Sequence, residues 1–253
     1  MRYNLTKTES QQVTGVTVPP RRTECTTLSS ITMKIIELTL LTNDLSETKR
    51  FYGQTMGFKI VHETETDISF GVGTSKLIFQ QVLETLKPKY HFAFNIPSNQ
   101  LEEAIHWTLE RTGLIETEGS PIADFDHWNA KAIYFYDYQL NVLEFIVRYD
   151  LNNPSNEVFS VDSILNINEI GIVTDHPLQL AHEIIEKTGT NYFSKGPRRA
   201  DFVAIGEETG LLVISDPNRN WYPTQDSADK WKVSTKLKIA DNEFELEWNA
   251  ENG

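Results

Sequence analysis

Two strand-like segments frame the middle of the chain: residues 91–96 read His-Phe-Ala-Phe-Asn-Ile and residues 141–146 read Asn-Val-Leu-Glu-Phe-Ile. Side chains of a β-strand alternate between its two faces. In the first segment His91 therefore lies on the face opposite the two phenylalanines. In the second, Glu144 lies on the face opposite the leucine and the phenylalanine. The apolar faces suit a covering helix, so two neighbouring strands could present His91 and Glu144 to one pocket.

The same order of elements recurs along the chain, which indicates a repeated unit. The first unit is predicted as a strand, a helix and three strands (35–44, 45–56, 58–63, 68–72 and 76–81). The second repeats this order, with a loop at 119–130 (91–96, 101–111, 114–118, 131–136 and 141–147). The third has a strand, a helix and two further strands (167–175, 177–187, 201–205 and 211–215).

A glycine follows each predicted helix and is expected to cap it: Gly57, Gly113 and Gly189. These glycines lie 20, 22 and 20 residues after Glu37, His91 and Glu169, which mark the first strands of the three units. Three units in the same order and phase predict an α+β fold built from tandem βαβββ modules.

The stretch 134–145, Tyr-Phe-Tyr-Asp-Tyr-Gln-Leu-Asn-Val-Leu-Glu-Phe, resembles a strand, turn and strand that recur in the vicinal oxygen chelate superfamily. This superfamily includes glyoxalase I, extradiol dioxygenases, and fosfomycin and bleomycin resistance proteins. Residues 43–52 and 56–58 are similar to its first helix and the exit from it. The turn departs from the pattern, because 138–140 read Tyr-Gln-Leu where Pro-Asp-Gly is usual. The resemblance covers about residues 35–215.

The resemblance implies that two units pair into a cupped mixed sheet with a pocket in the cup. We expect residues 33–150 to contain this pair. Residues 151–253 would then hold a divergent third module and C-terminal strands.

The resemblance also implies a ligand set for a divalent metal, because metal-using members take ligands from the first and last strands of two paired units. The matching positions are Glu37, Ile78, His91 and Glu144. Three of these could bind Mn, Fe(II), Ni, Co or Zn, whereas Ile78 could not. Such an ion could hold two adjacent oxygens of a substrate. Gln80, one pleat beyond Ile78, could substitute as a donor, and both would line the substrate pocket.

The third unit offers Glu169 and Val213 at the matching positions. One glutamate alone is a poor metal site, so this unit is interpreted as structural or as a second, metal-free pocket. Residues 219–248, which contain Trp221, Trp231 and Trp248, could supply strands that cover its open face. Exposed aromatic residues there could instead mark a homodimer contact.

Loop and strand residues of the second unit supply further candidates. His127 could move protons and Trp128 could stack on a ligand at the pocket mouth, although polar loop residues are more often simply solvated. Tyr134 and Tyr136 could hydrogen-bond an oxyanion, but they are equally good sheet residues. The metal candidates also have ordinary interpretations, such as a solvated Glu37 or a His91 that bonds the backbone at a strand end.

Composition limits the classes of partner. Of 253 residues, 39% are hydrophobic, and the net charge is −13 without a basic stripe, so nucleic acid is an unlikely partner. The single cysteine, Cys25, excludes an intrachain disulfide. The N-terminus has no apolar signal core and no apolar run is long enough for a membrane span, which favours a cytoplasmic protein. Residues 1–32 show no periodicity and are expected to be a disordered extension, with Met33 as a candidate natural start.

The leading hypothesis is a metal-dependent lyase, isomerase or ring-cleaving dioxygenase that acts on a small molecule. The alternative is a metal-free protein that sequesters an aromatic or hydrophobic small molecule, as bleomycin resistance proteins do. A scaffold protein with a vestigial pocket is a third interpretation.

Overall fold

The computed structural model describes residues 32–249 of the chain. The predicted disordered extension, Cys25 included, lies outside these residues apart from Thr32. None of the helices within 32–249 has the length and apolar composition needed to cross a bilayer.

The first unit begins with strand β1 (Met33–Thr42), which leads into a helix that is α-helical at first, α1 (Leu45–Thr48), and then a π-helix (Lys49–Thr55). Asp44 caps this helix, because its side chain accepts the N–H groups of Ser46 and Glu47 at 2.9 and 3.0 Å. Three strands complete the unit: β2 (Lys59–Glu63), β3 (Asp67–Val72) and β4 (Ser75–Gln81).

The second unit contains the predicted strands and helix and one addition. Its elements are β5 (His91–Asn95), α2 (Leu101–Leu109), β6 (Leu114–Ile115), β7 (Ala123–Phe125), β8 (Ala130–Tyr136) and β9 (Val142–Arg148). The addition is β7, which forms inside the predicted loop and pairs with β8.

The third unit consists of β10 (Asn166–Val173), α3 (Pro177–Thr188), β11 (Arg198–Arg199), β12 (Phe202–Glu207) and β13 (Gly210–Ser215). A C-terminal hairpin follows, formed by β14 (Val233–Ile239) and β15 (Asn242–Trp248). The repeated α+β architecture predicted from the sequence is confirmed.

Two of the three predicted glycine caps adopt the left-handed conformation, with φ of +80° at Gly57 and +73° at Gly189. Gly113 does not. Helix α2 has already ended at Leu109, where the N–H of Thr112 bonds to the carbonyl of Thr108 at 2.8 Å. The backbone therefore closes this helix before the glycine is reached.

The strands form two sheets. The first sheet has the order β15-β14-β1-β4-β3-β2, and the second has the order β11-β12-β13-β10-β5-β9-β8-β6, with β7 beside β8. The first sheet thus combines the first unit with the C-terminal hairpin. The second sheet joins the second and third units through the antiparallel pair β5–β10, in which Phe94 lies opposite Ile167.

This pairing differs from the expected one, in which the first two units within 33–150 formed the pocket. The free edge of β1 is paired with β14, where Leu38 lies opposite Thr235, and is closed to β5. The hairpin consequently extends the first sheet instead of covering the third unit. All three first strands alternate in the same way, so local sequence does not distinguish between these pairings.

The apolar faces of the two sheets share one core. Phe58 of the first unit meets Phe94 of the second, with ring centroids 5.7 Å apart. Ser75 connects the sheets through its hydroxyl, which donates to the Ile35 carbonyl at 2.6 Å and accepts the Ile167 N–H at 3.0 Å. The opposite face of the second sheet is left free to form a pocket.

Candidate functional site

A cavity of about 250 Å³ lies on the face of the second sheet that points away from the shared core. Both paired units line it, together with the segment that follows β13. Aromatic side chains form much of its wall: Phe125, Trp128, Tyr134, Phe202, Trp221 and Tyr222. A pocket formed by two paired units, as predicted, is therefore present. The pair consists of the second and third units, where the first and second were expected.

Three ionisable groups converge in this cavity: His91, Glu144 and Glu169. Strand pairing brings them together, because Ala93 lies opposite Glu144 on one side and opposite Glu169 on the other. His91 is two residues before Ala93 on the same face, and the small alanine leaves room between the glutamates. A potential ligand atom from each of the three lies within 4.8 Å of the others.

His91 is held in one orientation and one tautomer. Its Nδ1 lies 3.0 Å from the carbonyl oxygen of Val142, and since a carbonyl only accepts, Nδ1 carries the proton. Nε2 then carries a lone pair that can bind a cation or accept a proton, and Glu144 Oε2 lies 3.6 Å from it. Burial lowers the pKa of His91 to about 4, against a weaker opposing effect of the Val142 bond. The imidazole is therefore neutral at pH 7, as a metal ligand must be.

Glu144 is buried with 2% exposure. Burial raises its pKa well above the ordinary value, and the nearby charge of Glu169 raises it further. The hydroxyl of Tyr134, which lies opposite Glu144 in the β8–β9 pair, lowers this pKa, as does the charge of Arg148. A raised pKa means that this pair of carboxylates takes up a proton unless another cation compensates its charge.

Glu169 has a cation beside it. The guanidinium of Arg148, fully buried, donates from Nη2 to Oε1 of Glu169. Burial raises the pKa of Glu169, and the charge and hydrogen bond of Arg148 offset part of that rise. Glu169 is thus the member of the cluster whose charge is already compensated inside the protein.

The donor set fits a divalent transition metal. One imidazole nitrogen and two carboxylates are a mixed set of the kind that Zn, Fe(II), Co, Ni and Mn accept. In the repeat, Val213 is the residue of the third unit that corresponds to Glu144 of the second unit. It lies opposite Gly171 in the β10–β13 pair, two residues after Glu169, just as Glu144 lies opposite the residue two after His91. Valine donates nothing, so a bound ion would keep coordination positions open toward the cavity.

The structure does not bring Glu37, Ile78 or Gln80 to this cavity. All three belong to the first sheet, where Ile78 lies opposite Thr39 and Gln80 opposite Leu41. The carboxylate of Glu37 forms an ion pair with Lys76, at 2.7 Å from Nζ. The expected cluster of Glu37 with His91 and Glu144 does not form, because β1 pairs with β14 and not with β5.

Of the other predicted site residues, Trp128 and Tyr134 line the cavity. His127 is exposed in the middle of a short 3₁₀ turn (Asp126–Trp128) that precedes β8. Tyr136 lies beyond the cavity, and its hydroxyl donates to Asp226 at 2.6 Å. A contact of Trp128 with a ligand remains a prediction.

The sequence analysis placed Glu169 in a separate unit that was interpreted as structural or as a second, metal-free pocket, and it did not consider Arg148. The signal for Glu169 was present, because its position matches that of His91 in the repeat. A signal for Arg148 also existed. It follows Glu144 by four residues in the same strand, so the two side chains share the pocket face.

No protein-family model and no curated protein matches the chain. Among solved structures, a putative dioxygenase from Bacillus subtilis is similar over 87% of this chain and 86% of its own, with a TM-score of 0.54 and 12% identity. A lactoylglutathione lyase from Agrobacterium tumefaciens matches 44% of this chain and 90% of its own, at 16% identity and a TM-score of 0.38.

A fosfomycin resistance protein from Listeria monocytogenes, solved with manganese(II) and a dihydroxypropylphosphonic acid, matches 44% of this chain and 85% of its own. Its identity is 18% and its TM-score 0.35. The similarity to the dioxygenase extends over most of both chains and agrees with the repeated units found here. The chain has the fold of the vicinal oxygen chelate superfamily.

Proposed function

We propose that the protein is a metal-dependent enzyme that acts on a small molecule, with His91, Glu144 and Glu169 as ligands of one divalent cation. The observation that carries the proposal is the convergence of these three side chains in a buried cavity, with ligand atoms within 4.8 Å. The raised pKa of Glu144 supports it, since two adjacent buried carboxylates need a proton or a cation. Zn, Ni, Co, Mn and Fe(II) are the candidate ions.

A cation at this place supplies Lewis acidity toward two neighbouring oxygens of a substrate. The protein orients the imidazole through the Val142 carbonyl and leaves the Val213 side of the cluster open. Tyr134 lines the cavity next to Glu144, and because burial raises the pKa of its hydroxyl, this group stays protonated and could donate a hydrogen bond to a substrate oxygen. Such chelation serves a lyase, an isomerase or a ring-cleaving dioxygenase equally.

The metal content of purified protein tests the proposal. About one equivalent of transition metal is expected for the wild type, and the variants His91→Ala and Glu169→Gln are expected to lose it. Glu37→Gln is the matched control, because this glutamate occupies the corresponding strand of the first sheet and pairs with Lys76. A wild-type protein that stays metal-free after reconstitution would overturn the proposal, and so would equal loss of metal in Glu37→Gln.

A second candidate function is metal-free binding of an aromatic small molecule. The six aromatic side chains of the cavity wall and the apolar Val213 in the fourth ligand position favour it. Titration with catechol and phenol, followed by tryptophan fluorescence, separates the two candidates. If the protein is the proposed enzyme, metal is expected to strengthen the binding of catechol, which has two adjacent oxygens, more than the binding of phenol. Equal affinity with and without metal would favour the binding protein.

A further inference from the structure

Arg148 is a fully buried cation beside the candidate metal site. Each nitrogen of its guanidinium donates to a different acceptor. Nη2 bonds Glu169 Oε1, Nη1 bonds Glu208 Oε2 at 3.0 Å, and Nε bonds Asn168 Oδ1 at 3.0 Å. Three acceptors at fixed places leave the planar guanidinium one position and one orientation.

The groups around Arg148 are themselves fixed. Glu208 also accepts a bond from Lys195, which bonds Asp150 in turn. The rings of Trp128 and Phe193 lie 5.5 and 5.7 Å from the guanidinium carbon. Arg148 is therefore held rigidly behind Glu169 and Trp128 of the cavity lining and is not a mobile counter-ion.

This arrangement has a consequence for Glu169. Its Oε1 accepts the bond from Arg148, whereas no protein donor of the described residues bonds Oε2, so Oε2 is the oxygen whose lone pairs are both available to an ion. We propose that Arg148 is a positioning residue that fixes Glu169 as a ligand through one oxygen only. The inference rests on the metal site proposed above. It adds how the protein orients one ligand, Glu169, before the metal binds.

The opposite role, that of a cation which repels a divalent ion, is disfavoured by the charges around Arg148. Its positive charge is shared between Glu169 and Glu208, and Glu208 has a further cation in Lys195. Because Lys195 also pairs with Asp150, this group of side chains contains three carboxylates and two cations, so it has no excess positive charge before any metal is added. The positioning role predicts weaker metal binding when the guanidinium fork is lost, whereas a repelling role, which depends on the charge alone, predicts no weakening while the charge is kept.

The test compares wild type with Arg148→Lys, which keeps a buried positive charge but loses the planar fork. Affinity for Co²⁺ alone is measured by competition with a chelator, and coordination is followed by the visible absorption of bound Co²⁺. We expect Co²⁺ to bind about 10–100-fold more weakly, as when other partners of ligands are removed. We also expect an altered absorption spectrum, because Glu169 can then rotate and offer both oxygens.

Two further variants support the interpretation. Asn168→Ala removes the bond to Nε and the bond that Asn168 Nδ2 donates to the Glu208 carbonyl at 2.8 Å, but it leaves the bond between Arg148 and Glu169 in place. A change in the same direction by a smaller factor is therefore expected, even if Arg148→Lys folds poorly by circular dichroism. Arg111→Lys is the matched control, since that guanidinium also lies over a tryptophan ring, Trp107, but away from the cavity. Wild-type affinity and spectrum are expected for it.

The outcomes separate the inference from the proposed function. Unchanged or tighter Co²⁺ binding by both Arg148→Lys and Asn168→Ala, in a wild type that binds the ion, overturns the role of Arg148 alone. A wild type that binds no Co²⁺ overturns the proposed function and the role of Arg148 with it.

Discussion

The indole of Trp221 lies directly over Gly171. A Cβ added at Gly171 would stand 2.4 Å from Cη2 of Trp221, a distance that no packed pair of carbon atoms tolerates. The same indole lies against His91, with ring centroids 5.3 Å apart. Gly171 thus lets the segment after β13 close over the candidate ligands.

The variant Gly171→Ala is expected to displace Trp221 from this place. Overpacking of this kind typically costs about 1–3 kcal/mol of stability. Denaturant unfolding and the wavelength of tryptophan emission measure the two effects, and emission shifts to the red as the indole becomes exposed. Gly113→Ala is the control, because its added Cβ would meet no atom within 4 Å. Equal effects of both variants would contradict the close packing of Trp221 on Gly171.

The titration of His91 predicts a pH dependence of the stability of the metal-free protein. The pKa of His91 is about 4 in the folded state and about 6.5 in an unfolded chain, so between these values only the unfolded state takes up the proton. The contribution of His91 to stability is therefore present above pH 6.5 and is lost as the pH falls toward 4. The difference between the two pKa values corresponds to about 3 kcal/mol. Glu144, with its raised pKa, acts in the opposite direction above pH 4.5.

The contribution of His91 is isolated by comparison with His91→Gln. The stability difference between wild type and this variant is expected to grow by up to about 3 kcal/mol from pH 4 to pH 7. Urea unfolding at a series of pH values measures it. His62→Gln, on the exposed strand β2, is expected to keep the wild-type profile. A constant difference across the range would show that His91 is not buried as a neutral base.

Tyr134→Phe tests the effect of the Tyr134 hydroxyl on Glu144. This hydroxyl lowers the pKa of the carboxyl, so its loss raises that pKa further and makes the proton a stronger competitor of a metal ion. We expect the pH midpoint of Co²⁺ uptake, measured by the visible absorption of the bound ion, to move upward. At a fixed pH below the midpoint, Co²⁺ is then expected to bind more weakly than it binds to the wild type. Tyr136→Phe is the control, because its hydroxyl bonds Asp226 and none of the three candidate ligands. An unchanged midpoint in Tyr134→Phe would contradict the role of this hydroxyl.

Val213→His tests the equivalence of positions in the two paired units. Val213 takes the place in the third unit that Glu144 takes in the second, so an imidazole there should add a fourth ligand. We expect Co²⁺ affinity to rise about tenfold, which corresponds to about 1.4 kcal/mol. Val213→Leu, which is bulkier than valine but has no donor atom, controls for packing. Equal affinity in both variants would show that this position does not reach the ion.

Local sequence patterns were sufficient for the elements and for the shared face of His91 and Glu144. Alternation within 91–96 and 141–146 placed both on the pocket side, and the strand register agrees. Which units pair, and therefore which residues form the site, depends on contacts between distant parts of the chain. The edge of β1 could accept either β5 or β14, and only the whole chain determines that β14 takes it. Because β5 consequently pairs with β10 and not with β1, the site contains Glu169 instead of Glu37.

Strand alternation places Arg148 on the same face as Glu144, but the partners of Arg148 were beyond the reach of such patterns for a different reason. A fully buried charge is unfavourable unless several partners compensate it, and here they come from separate parts of the third unit. Asn168 and Glu169 lie on β10 and Glu208 lies on the turn between β12 and β13. Alternation of residues within one strand gives no information about contacts between such separate segments.

The pairing of β1 with β14 also bears on the order of folding. The sheet that carries the candidate site is contiguous in sequence, from β5 to β13, and all its partners are present once Ser215 has been synthesised. The edge of β1 can be paired only after the β14–β15 hairpin has been synthesised, and pairing of two strands so far apart in sequence is slow. During synthesis the cup can therefore assemble first, while β1 presents an unpaired edge to other chains until its late partner arrives.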